Sequence, residues 1–65
     1  MKKRQIEELA AILINQHGRW ALAMARQRRA QHAREPASEA FRVWNAITIE
    51  TARLLRARAR RLRAG

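Results

Sequence analysis

The sequence predicts an all-α protein: an antiparallel two-helix hairpin that dimerises into a four-helix bundle. Three observations carry that expectation. Apolar residues recur at helical spacing through two long segments, and nowhere with the alternation of a strand. The only proline of the chain, in Glu35-Pro36-Ala37-Ser38-Glu39, divides those segments into arms of similar length. Finally, 65 residues without a cysteine make one small domain with no disulfide to brace it, so self-association is the remaining source of stability.

The first arm is expected as a helix over about residues 4–33. At about 100° per residue, Ile6, Leu9, Leu13, His17, Trp20 and Met24 fall in one stripe, with Ala10 beside it and Ile12 and Ile14 on its shoulders. This face is too wide for a single partner helix and suits both the second arm and a second chain. Gly18 either kinks or breaks the helix after His17, or opens a close-packed ridge with Ile14, Ala21 and Ala25; the ridge is favoured, and a kink or break at His17–Gly18 stays open. Gln27 and Gln31 continue the stripe toward the turn, so packing should thin there. The turn is placed at 34–36, with Pro36 in the first turn of the second helix.

The second arm, 36–63, carries Ala37, Ala40, Phe41, Trp44, Ile47, Thr48, Thr51, Leu54, Leu55 and Leu62 on one side. Arg53, Arg56, Arg60 and Arg63 lie on the other. Arg58 falls inside the apolar arc, so the tight core should end near Leu55 and the helix should run on for the charge it displays. Leu22 and Ile49 sit alone on the polar backs of their helices.

Charge is the strongest compositional signal, with fifteen Lys+Arg against five acids and a net +10. Such a field attracts polyanions, although an arginine- and alanine-rich composition can also place arginines on a merely solvated face. Antiparallel folding at Pro36 would set residue 6 near 63 and residue 13 near 56. Lys2, Lys3 and Arg4 would then join Arg56, Arg58, Arg60, Arg61 and Arg63 at one pole, with only Glu7 and Glu8 to neutralise them. The candidate nucleic-acid-binding residues are therefore Lys2, Lys3, Arg4, Arg53, Arg56, Arg60 and Arg63. A smaller basic group, Arg26, Arg28, Arg29 and Arg34, sits near the turn.

No catalytic residue, metal ligand or cofactor site is assigned, and a small-molecule substrate is not expected. His17 has Leu13, Ile14, Trp20 and Ala21 one turn away, none of them able to share a metal or a proton. It is expected as a buried, neutral core histidine held by Thr51 or Thr48. Trp20 and Trp44 fall at the centres of their stripes and are expected in the core. The longest apolar run, Leu9–Ile14, is far shorter than the roughly 20 residues of a membrane span, and the chain is read as cytoplasmic.

The run LINQHGRWALAMARQRR, followed by EAFRVWNAITIETARLL, resembles a loosely defined group of small uncharacterised alphaproteobacterial proteins. The resemblance rests on Leu13, Ile14, His17, Gly18, Ala21, Ala25, Trp44, Ile47 and Leu54, and implies a helical hairpin without implying an activity. Pro36, where that group has a Gly-Asp turn, and the arginine-rich end are departures from it. Three functional readings compete: a self-associating hairpin that binds nucleic acid through phosphates, a small regulator docking on an acidic or apolar patch of a protein, and a peripheral membrane binder.

Overall fold

The computed structural model describes residues 2–64. Met1 and Gly65, the ends of the 1–65 domain read from the sequence, lie outside them. The chain is an all-α helical hairpin, built from α1 (Lys3–His17), a 3-10 turn (Gly18–Trp20), α2 (Ala21–Gln31) and α3 (Glu39–Ala64). Its two arms, α2 and α3, are tied near the turn by Arg29 Nη1, which donates to Asn45 Oδ1 at 3.1 Å.

The turn is wider than 34–36 and Pro36 lies within it. Successive backbone bonds from Ala33 to Ala30, Glu35 to His32 and Ser38 to Glu35 carry the chain around. Ser38 then caps α3: the Phe41 amide donates to its Oγ at 3.2 Å and the Arg42 amide to its carbonyl at 3.1 Å. A hydroxyl that accepts an orphan amide fixes a helix start more strongly than a proline that merely tolerates one. The second helix therefore begins at Glu39, three residues later than expected.

The expected helix 4–33 is broken at Gly18, whose φ of 57° is the only positive value among the described residues. With ψ at −131°, this backbone is open to glycine and costly for residues with a Cβ. The ridge reading fails on a second count. A Cβ at Gly18 would meet nothing within 4 Å, so no close approach requires glycine there; Ala21 and Ala25, both fully buried, form the close-packed surface without it.

The break reverses the chain. Ile6 shares a groove with Glu39, Arg42, Val43 and Ala46, whereas Gly18 and Arg19 share one with Leu55, Arg58 and Leu62. So α1 runs parallel to α3, and α2 returns antiparallel between Gly18 and the turn. Residue 6 lies near 43 and not near 63. The molecule measures 42 × 22 × 17 Å, and α3, at about 39 Å for its length, spans nearly all of the long axis.

Small residues hold the three helices together. Ala10, Ala21, Ala25, Ile47, Thr48 and Thr51 are buried, and alanine lets helix axes approach where larger side chains would hold them apart. The Thr48 hydroxyl donates to the Trp44 carbonyl of its own helix at 2.6 Å, and the fully buried Thr51 Oγ1 has no hydrogen-bond partner. Neither threonine therefore holds His17, which sits half-buried at the end of α1.

Candidate nucleic-acid interface

Beyond Leu55, α3 continues through alternating arginine, alanine and leucine. These residues favour helix intrinsically, and cations near a helix C-terminus meet its negative end favourably. Arg56, Arg58, Arg60, Arg61 and Arg63 are all exposed, and Leu62 is 73% exposed, so this stretch stays helical without packing into the core. Arg56, Arg60 and Arg63 are four and three residues apart, which places them on one face at intervals of about 6 and 4.5 Å along the axis.

The break at Gly18 redistributes the expected basic pole. Lys2, Lys3 and Arg4 lie at the opposite end of the molecule, where α3 begins, because they precede Ile6 and its groove with Glu39 and Arg42. They help start α1, the Lys2 amide donating to Gln5 Oε1 at 3.1 Å, and Arg4 stands 3.8 Å from Glu8 in an exposed pair. Arg19, which sequence reasoning left aside, takes their place beside Arg58 and Leu62. The usable signal was Gly18, the only glycine before the last residue: a reversal there carries the following arginine to the other end of α3.

Arg53 is also set apart. Its Nε donates to Glu50 Oε1 at 2.9 Å, and its Nη2 meets the same oxygen. The Glu50 side chain is only 12% exposed, which anchors the pair against the helix. The hydrogen bond to Glu50 first, and the charge of Glu50 next, raise the Arg53 pKa above its ordinary value; desolvation opposes them, and the charge of Glu7 adds least. This guanidinium, though exposed, is already paired with an acid of its own helix, unlike those that follow it.

All five acids are thereby placed away from the end of α3. Glu7 and Glu8 belong to α1, Glu35 to the turn, Glu39 to the start of α3, and Glu50 to the pair with Arg53. The end formed by Arg19, Arg56, Arg58, Arg60, Arg61 and Arg63 carries six guanidinium groups, with no acidic side chain among the described residues there.

Trp20 is the other correction. Expected in the core, it is 62% exposed, because the glycine reversal and the tighter 3-10 winding carry it off the stripe that a continuous helix would have made. The Arg19 guanidinium lies 5.1 Å from the centre of its ring, within cation–π range. Trp44 is half-buried and lines an open apolar groove with Leu9, Ile12, Leu13, Val43 and Ile47. Among the described residues, no helix is long and apolar enough to cross a membrane. No protein-family model, curated protein or solved structure matches the chain.

Proposed function

We propose that this chain is a non-enzymatic, basic helical hairpin that binds nucleic acid through its phosphates, using the acid-free end of α3. The observation that carries the reading is the segregation of charge. Thirteen arginines face five acids, yet the carboxylates gather along α1, the turn and the first half of α3, and the eight residues from Arg56 to Arg63 hold five arginines and no acid. A solvated face made only by composition would intersperse both signs. Six like charges converging on one end repel one another, and a polyanion relieves that repulsion while releasing its counterions. Guanidinium groups suit this role because they fork onto phosphate oxygens. Arg56, Arg60 and Arg63 follow a backbone, with Arg19, Arg58 and Arg61 flanking them. Lys2, Lys3 and Arg4 are too far away to join the same contact.

Fluorescence anisotropy on unrelated duplexes, across about 50 to 300 mM salt, tests the proposal. If six phosphates are neutralised, log K falls with log salt at a slope near −5, without sequence preference. Absence of binding at the lowest salt would reject it.

A second reading concerns self-association. Leu9 and Ile12, 38% and 52% exposed, rim the groove over Val43, Trp44 and Ile47. A second copy that covers this groove would bury them and supply the area a 65-residue core lacks. Sedimentation at micromolar concentration separates a homodimer from a monomer, and a folded monomer would reject the dimer.

A further inference from the structure

Where the 3-10 turn faces the end of α3, Arg19 lines an apolar groove with Arg58 and also lies over the ring of an exposed tryptophan, Trp20. The groove, about 350 Å³, has Leu55, Ala59 and Leu62 along α3 and is flanked by Arg19 and Arg58. Trp20 follows directly in the chain, with 62% of its surface in solvent. One side of its ring carries the Arg19 guanidinium. Trp normally hides much of its surface, and its flat face is the strongest platform a side chain offers to another ring. Here it stands beside the most positive part of the molecule.

We infer that this end prefers single-stranded nucleic acid, with an unstacked base resting on Trp20 or in the adjoining groove while Arg19, Arg58 and the terminal arginines hold the flanking phosphates. This inference rests on the phosphate-binding reading proposed above and adds the substrate class. A duplex keeps its bases stacked inside and offers only phosphates to arginine. A single strand offers phosphates and free ring faces together, which is the combination presented here. The occupant follows from charge complementarity, since the groove is rimmed by cations and faces no acidic side chain among the described residues. An anionic membrane fits less well. The exposed apolar residues Leu9, Ile12, Trp20, Ile49 and Leu62 are scattered over α1, the 3-10 turn, and the middle and C-terminal end of α3, whereas a membrane-surface helix needs them along one face.

The test compares wild type, Trp20→Ala and Trp20→Phe on four ligands: oligo(dT), a duplex of equal length, inorganic polyphosphate, and phosphatidylglycerol vesicles. Circular dichroism confirms that each variant keeps its helices, as the exposure of Trp20 leads one to expect. Wild type should bind oligo(dT) more tightly than duplex, with quenching of tryptophan fluorescence that polyphosphate does not produce. Trp20→Ala should weaken oligo(dT) binding by about 5- to 150-fold, the range of one lost base stack. It should leave polyphosphate and duplex binding within about twofold, and Trp20→Phe should recover part of the loss. Equal weakening on oligo(dT) and polyphosphate, or tighter binding to duplex, would overturn the stacking inference while leaving phosphate binding standing. Failure of wild type to bind polyphosphate or either nucleic acid would reject both. Vesicle binding that depends on Trp20 while oligo(dT) binding does not would replace the inference with a membrane one.

Discussion

The two halves of α3 belong to one continuous helix and obey different rules. From Glu39 to Leu55 the helix is capped by Ser38, buries Ile47, Thr48 and Thr51, and engages its arginine at position 53 with Glu50. From Arg56 onward every arginine is exposed, and among the described residues no acid pairs with one. The first half is selected by packing, where volume and polar satisfaction decide what fits. The second is constrained only by helix propensity and charge. The difference teaches that packing and displayed charge are carried by separate segments, so that, under the proposed function, substitutions should move stability or binding without the other.

The largest expected effect tests the packed half. Ile47→Ala removes a side chain that is only 2% exposed and should cost about 2 to 5 kcal/mol. A domain of this size has roughly 3 to 10 kcal/mol of stability in all. Urea denaturation would show the loss, and the residual folded protein should keep its salt dependence of binding; a change in that slope would break the division between the halves.

Gly18→Ala comes next. Space is available for the methyl group, so the cost is one of backbone conformation, about 1 to 3 kcal/mol. The variant can relieve that strain by straightening α1 into α2, which would expose Ala10 and lengthen the molecule. Small-angle scattering would reveal an extended form, and an unchanged melting temperature would contradict the role assigned to glycine here.

Thr51→Val sharpens the account in the opposite direction. Its hydroxyl is buried and unpartnered, so an isosteric methyl group should be neutral or stabilising by up to about 1 to 2 kcal/mol. A clear destabilisation would mean that the hydroxyl has a partner after all, with His17 the first to examine by NMR. The smallest effect is expected of Arg53→Ala. Because Glu50 already engages this guanidinium, the salt slope of nucleic-acid binding should stay the same within error, although the residue shares a face with Arg56 and Arg60.

Much of this was legible in the sequence. Periodicity located the helical segments, Pro36 located the hairpin turn, and the placement of Arg58 within the apolar arc foretold the end of the core near Leu55. What escaped was direction. A helical wheel assumes one axis, and the wheel of the first arm ran straight through Gly18. A single backbone angle there reverses the chain, which moved Lys2, Lys3 and Arg4 to the far end, brought Arg19 to the near one and turned Trp20 out into solvent. Such a reversal leaves no trace in hydrophobic spacing, because the residues on either side still follow helical periods. The Arg53–Glu50 pair was hidden for another reason. Its three-residue spacing was visible, but only the burial of Glu50 shows that this arginine is held and not free.

The claim that binding belongs to one end is tested most directly by comparing two triple variants on the same duplex. Replacing Arg56, Arg60 and Arg63 by alanine should reduce the magnitude of the salt slope by about 2 to 3, with no loss of folding stability, since all three are exposed and alanine is the better helix former. Replacing Lys2, Lys3 and Arg4 by alanine removes the same number of charges from the opposite end and should change the slope by less than about 1. Equal losses in the two variants would show that the protein binds by its overall charge, and would contradict an interface at the end of α3.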